Sequence, residues 1–191
     1  MLRRDEVTAC ILAGGRARRM GGAVKPLLIV DGDTILARQC AVLVPRVREV
    51  IVAVATPGAA LGGLRAVIDP IADAGPLAGV VAALAAIDTP WLLAVAGDMP
   101  SLAPAVIELL LAAATDEVDA VAARIGGWPE PLCALWHRRC HAALAARLAA
   151  GDYKVAAALT AQRVAWLDEA AVRAVDPALA TFTNVNRPEE L

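Results

Sequence analysis

Lysine is nearly missing from this chain. Of its eighteen basic residues, all but Lys25 and Lys154 are arginine. Arginine is therefore the default cation, and a lysine marks a place where a compact point charge is useful. Aromatic residues make up only 3% of the 191 residues, too few for base-stacking platforms. The formal net charge of -2 leaves no basic surplus, which argues against general nucleic-acid binding. Long apolar runs are missing too, although 59% of residues are hydrophobic and the mean hydropathy is +0.59. The longest charge-free helical stretch, Ala74 to Ile87, has 14 residues and includes two glycines and a proline. A membrane-spanning helix needs about 20 apolar residues. The opening "MLRRDEV" turns acidic at once, unlike a secretory leader. The expectation is a soluble, cytoplasmic chain with no membrane partner.

The four cysteines, Cys10, Cys40, Cys133 and Cys140, show no CxxC spacing, so reduced thiols are expected. The segment "CALWHRRCH" groups Cys133, His137, Cys140 and His141, which carry the right atoms for zinc. Cys133 lies in an apolar strand-like run and the other three open a helical run. Ordinary packing and helix-start roles are the stronger reading.

Short apolar runs alternate with longer helical patterns. Strands are predicted over Val7 to Ala13, Glu49 to Ala55, Arg65 to Asp69, Trp91 to Ala96, Asp119 to Ile125, Leu132 to Trp136 and Arg163 to Leu167. Helices are predicted over Thr34 to Val47, Pro76 to Ile87, Pro104 to Ala114, Arg138 to Ala150 and Tyr153 to Ala161, with Thr34 as a cap. This alternation implies an α/β fold with a mainly parallel, twisted sheet covered on both faces. The stretch "GGWPEPLCALW" reads as an antiparallel addition to it. A single domain over residues 1–191 is expected. In such sheets ligands lie beyond the carboxyl ends of the strands. All the candidate motifs fall on that edge.

The first is "LAGGRARRMGGAVKP", Leu12 to Pro26, with four glycines, three arginines, one lysine and no acid. It is neither a dinucleotide fingerprint nor a P-loop. Its glycines let backbone N–H groups approach a ligand closely, and its cations suit a polyphosphate. A solvated surface loop is the competing reading. Asp98 follows the apolar run "WLLAVAG", at the mouth of a buried strand. Either it holds magnesium, which takes one or two carboxylates plus substrate phosphates, or it caps a helix starting near Ser101. Asp69 ends another strand and Asp73 lies just beyond. A carboxylate there can accept from the N1–H and N2–H edge of guanine or from ribose hydroxyls; loop capping is the alternative. Asn184 and Asn186 flank Val185 in "TNVNRP" and face one side of an extended segment. They either bind ligand or metal, or form an Asx-turn into a helix at Pro188.

Together, "LAGGRARRMGG", Lys25, "GPLAG", "AGDMP" and "NVNRPEEL" resemble the molybdenum cofactor guanylyltransferases. These are magnesium-dependent nucleotidyltransferases with a three-layer, Rossmann-like sandwich similar to that of nucleotide-diphospho-sugar transferases. The resemblance implies transfer of GMP from GTP to the molybdenum-bound pterin (molybdopterin) cofactor, with release of pyrophosphate. It implies that Leu12, Ala13, Gly14 and Gly15 hold the nucleotide by backbone, with Asp69 as the nucleotide-binding aspartate. Lys25 and Arg19 meet the phosphates, Asp98 is the Mg²⁺ ligand, and Asn184 or Asn186 completes the acceptor and metal surroundings. Proteins of molybdenum cofactor biosynthesis and molybdoenzyme maturation are the partners it suggests. Two positions depart from the family pattern: Val24, where an acid often stands, and Ala53, where an asparagine is usual. They keep two alternatives open, a CTP-dependent or other small-phosphate nucleotidyltransferase, and a non-catalytic nucleotide-binding adaptor.

Overall fold

The computed structural model of the chain describes residues 1–14, 25–55, 61–71 and 73–185. Its main sheet is built from β1 (Val7–Leu12), β4 (Glu49–Val54), β5 (Arg65–Ile68), β6 (Trp91–Ala96), β7 (Ala120–Ile125), β8 (Trp128–His137) and β9 (Val164–Leu167). A two-residue pair, β2 (Ile29–Val30) and β3 (Asp33–Thr34), stands apart from it. The helices are α1 (Ile35–Leu43), α2 (Pro76–Ala86), α3 (Pro104–Ala113), α4 (His141–Ala149), α5 (Val155–Thr160) and α6 (Glu169–Arg173).

The strand order is β5-β4-β1-β6-β8-β7-β9. β1 runs parallel to β4 and β6, β4 to β5, and β7 to β9; β8 is antiparallel to both its neighbours. One strand of the seven is thus reversed, and the mainly parallel sheet expected from the apolar strands is what forms. Strands β1 and β6 are completely buried along their length, as a sheet covered on both faces requires.

Side chains alternate between two cores. Cys10, Leu12, Ile51, Ala53, Leu92, Ala94, Ala134 and Trp136 pack on one face with Leu77, Val80 and Leu84 of α2 and Leu144 of α4. Val7, Ala9, Ile11, Val50, Val52, Leu93, Val95 and Leu135 pack on the other with Leu36 and Leu43 of α1 and Ile107 and Leu110 of α3. This two-residue period makes three layers from one sheet.

Several boundaries differ from the sequence expectation. Helix α1 stops at Leu43 rather than Val47, because Pro45 cannot donate to the helical ladder. Its cap is as expected: the Thr34 hydroxyl accepts from Ala37 N–H at 3.1 Å. The helix expected from Arg138 opens as a 3₁₀ turn, Arg138–Cys140, before α4. The one expected from Tyr153 starts at Val155. The short pair β2–β3 and helix α6 are too brief for periodicity to reveal.

The largest difference is "WPEP", which is strand and not connection. Gly126 and Gly127 alone make the turn, with φ of 57° and 82°. Both central residues then have the positive φ of a tight hairpin turn. Strand β8 pairs with β6 only from Cys133 onward, so Pro129 and Pro131 lie past that neighbour's end, where a missing N–H costs little.

In chain order the four adjacent strands β5, β4, β1 and β6 are arranged third, second, first, fourth, so the winding reverses between β1 and β6. A topological switch of this kind opens a crevice at the carboxyl ends of the two strands. The Gly97 N–H donates to Leu12 O across it at 3.0 Å. Gly97 has no room for a side chain: a Cβ would lie 2.7 Å from Pro26 Cγ and 3.0 Å from Leu12 O. Gly97→Ala is therefore expected to lower stability by about 1–3 kcal/mol through overpacking. Urea unfolding of the two proteins measures it.

Candidate functional site at the β1–β6 switch

Beyond β1 the described chain resumes at Lys25, where Lys25–Leu27 form a 3₁₀ turn. Pro26 is buried against Gly97, so the lysine is carried over the end of β6. Its Nζ lies 2.8 Å from Asp98 Oδ2. Residues 73 positions apart therefore share one point of the sheet edge, with side chains 30% and 20% exposed. Such a pair loses hydration and gains little net stability.

The turn that carries Asp98 is tied on three sides. Asp98 O accepts from Val185 N–H at 2.9 Å. Gln39 Nε2 donates to Ala96 O at 2.8 Å and to Met99 O at 2.9 Å. Arg38 Nε donates to Pro100 O at 3.0 Å. Asp98 does not cap the following helix, since α3 begins at Pro104 with Ala103 as its N-cap residue. The helix-cap alternative for this carboxylate therefore fails. Val185 is buried and Thr183 and Asn184 are both exposed.

Asp69 builds the second part of the edge. Its N–H donates to Val54 O at 2.9 Å, continuing the register of β4 and β5 by one residue. Its side chain leans towards two glycines. A Cβ on Gly14 would sit 2.4 Å from Asp69 Oδ2, and one on Gly79 would sit 3.4 Å from Oδ1. Oδ1 is buried with no hydrogen-bond partner among the described residues. Burial pushes this carboxyl from 3.8 up to about 6. An unpaired buried carboxylate oxygen suits a ligand that brings its own donors. Ala53 is fully buried, with a Cβ that would stand 3.1 Å from one on Gly79; its carbonyl accepts from Ala13 N–H at 2.8 Å.

The structure thus brings Leu12, Ala13, Gly14, Lys25, Asp69, Asp98 and Asn184 to one edge. Gly15, Arg19, Val24 and Asn186, together with the expected helix at Pro188, lie outside the described residues. The Cys–His segment is used otherwise. His137 Nδ1 accepts from Arg139 N–H, its ring meets Trp91 edge-on at 4.9 Å, and Cys140 Sγ donates to Asp119 O at 3.2 Å.

A family model for the MobA-like NTP transferase domain matches residues 9–166. The chain belongs to the MobA-like NTP transferase family. A molybdenum cofactor guanylyltransferase of Desulfosudis oleivorans is 34% identical over 188 residues, covering 98% of this chain and 93% of that one. Among solved structures, the molybdopterin-guanine dinucleotide biosynthesis protein A of Archaeoglobus fulgidus superposes with a TM-score of 0.81 at 23% identity, covering 96% and 94% of the two chains. Rv0371C of Mycobacterium tuberculosis, solved in complex with manganese, has a TM-score of 0.64 at 21% identity and covers 86% and 88%. The likeness to both structures is one of fold.

Within this MobA-like framework, Arg38, Gln39, Pro26 and Gly79 shape the edge and were not singled out as site residues from the sequence. A signal existed for Gln39 alone. It shares the buried stripe of α1 with Ile35, Leu36 and Leu43, where an apolar residue is the norm.

The Asp69 carboxyl carries a pH signature. Because its value is raised on folding, the folded state takes up a proton between about 6 and 3.8. The burial cost is present above about 6 and is relieved as pH falls towards the unfolded value. Asp69→Asn should therefore raise the melting temperature at pH 8, with a smaller gain at pH 4. Thermal unfolding at the two values tests this, and an equal or inverted gain would contradict it.

Proposed function

We propose that this MobA-like chain, acting as one nucleotidyltransferase unit, transfers GMP from GTP to the terminal phosphate of the molybdenum–molybdopterin cofactor. A phosphate oxygen of the acceptor attacks the α-phosphorus of GTP, the bond to the β-phosphate oxygen breaks, and pyrophosphate leaves. The observation that carries this reading is the meeting of Lys25 and Asp98 at the β1–β6 switch, 2.8 Å apart. The near full-length match to a molybdenum cofactor guanylyltransferase supports the choice of substrates.

The acceptor phosphate monoester has its second pKa near 6, so at pH 7 it is mostly dianionic and needs no general base. The obstacle is repulsion between anions. Rate must come from positioning and from fixed cations placed where charge develops. In this reading Lys25 and Arg19 face the phosphates and offset the charge of the leaving pyrophosphate. The backbone of Leu12, Ala13, Gly14 and Gly15 holds the nucleotide. Asp69 accepts from the N1–H and N2–H edge of guanine, or from ribose hydroxyls, through the oxygen that has no partner among the described residues. Asn184 and Asn186 serve the acceptor and metal surroundings.

The residues present fit a magnesium ion. Asp98 already attracts a cation, the Lys25 ammonium, and among the described residues no group of three or more His, Cys, Asp or Glu could hold a metal ion by itself. A lone hard carboxylate suits magnesium, which draws its other ligands from water and phosphates, and does not suit zinc. When bound there, magnesium supplies charge neutralisation on phosphate oxygens. Lys25 would face the phosphates beside it.

The test is pyrophosphate release from GTP and molybdopterin cofactor, with CTP in parallel. Release with GTP is expected, and release with CTP alone would reassign the base. Asp98→Ala should abolish turnover with the melting temperature preserved; near-normal turnover would remove the metal role. Lys25→Ala should cost at least about tenfold in rate, the equivalent of a charged contact of about 1.5–3 kcal/mol. An unchanged rate would leave Lys25 a bystander.

A further inference from the structure

We infer that Gln39 is a positioning residue that sets the Asp98 carboxylate for its cation. The inference rests on the reading of Asp98 as a metal ligand. Gln39 lies in the middle of α1 and is only 1% exposed, at a position where its helical neighbours Ile35, Leu36 and Leu43 are all buried and apolar. Burying an amide there is unfavourable unless its hydrogen bonds are made. They are made only on one side. Nε2 gives its two protons to Ala96 O and Met99 O, while Oε1 is buried with no partner among the described residues.

The two acceptors explain why an amide is useful at this point. Strand β6 ends at Ala96, and its antiparallel neighbour β8 pairs only as far as Val95. The turn from Ala96 to Met99 therefore leaves the sheet, and its carbonyls lose their ladder partners. Gln39 grips the carbonyls on either side of Gly97–Asp98, bonding across 57 and 60 residues of sequence. Both acceptors are carbonyl oxygens, so only the NH₂ end of the amide can face them, and its orientation follows from the chemistry. Arg38, the adjacent residue of α1, holds Pro100 O. Val185 holds the carbonyl of Asp98 itself. A leucine at position 39 would fill the core, but Met99 O would lose its glutamine donor and Ala96 O would keep only the Met99 N–H at 3.3 Å.

A merely structural glutamine would be replaceable by a residue of its own shape at some cost in folding and none in metal affinity. A positioning glutamine would show the opposite. The discriminating experiment measures Mn²⁺ binding, by electron paramagnetic resonance of the free ion, to the protein saturated with a non-hydrolysable GTP analogue. Wild type, Gln39→Met, Gln39→Leu and Asp98→Ala are compared, each with its melting temperature. Gln39→Met matches the length of glutamine and has no donor; Gln39→Leu is the second packing variant should the first fold poorly.

In at least one of the two folded variants the Mn²⁺ dissociation constant is expected to rise about tenfold. The Mg²⁺ concentration for half-maximal turnover is expected to rise in parallel, with affinity for the metal-free analogue unchanged. Mn²⁺ binding lost in Asp98→Ala but within twofold of wild type in the Gln39 variants would overturn the inference and leave the metal role of Asp98 standing. Mn²⁺ binding unaffected by Asp98→Ala would overturn that role and the inference with it.

Discussion

Two segments that end far apart in sequence are made to overlap at the switch between β1 and β6, and the site depends on that overlap. The ion pair between Lys25 and Asp98 is its visible outcome. The pair forms because Gly97 has no side chain. Pro26 occupies the space that a Cβ would need, and Leu12 O takes the Gly97 N–H. The energetic contribution of the pair itself is small, since each partner gives up water to make it. Its value lies in location: a cation and an anion are held where the winding of the sheet opens a crevice.

Around that point the fold invests its polar atoms unevenly. The Asp98 turn is tightly tied, with carbonyl after carbonyl supplied with a donor from α1 or from the segment at Val185. Asp69 is treated in the opposite way. One of its oxygens is buried and has no partner among the described residues, and its acidity is weakened by the same burial. Tying fixes a group whose direction matters. Leaving an acceptor unpaired reserves it for a ligand's donors and costs stability until that ligand comes. The two carboxylates on one sheet edge thus sit in different settings, one on a tied turn and one with an oxygen that has no partner among the described residues.

Membership of the MobA-like family and the α/β layering agree with this division, and neither would predict it in detail. Ala53 illustrates the gap. This small, buried residue packs beneath Gly79, and its carbonyl holds Ala13.

Strand identity, the alternation of strands and helices, and the edge on which chemistry would gather were all legible in the chain. Hydrophobic periodicity and glycine placement are local signals, and they survive folding. The candidacy of Asp69 and Asp98 came from the same source, since each stands at the end of an apolar run, and that of Lys25 came from its place in a glycine-rich cationic loop. What needed tertiary structure was every relation between distant residues: that Asp98 meets Lys25 and caps no helix, that Pro26 fills the space left by Gly97, and that a glutamine buried in α1 holds the Asp98 turn. "WPEP" belongs to the same class, because prolines are tolerated in a strand where one side lacks a neighbour, and here β6 has already ended. Local pattern encodes which face a residue turns to the core. Only the packing of one element on another decides which groups meet there, because that depends on distances no single segment contains.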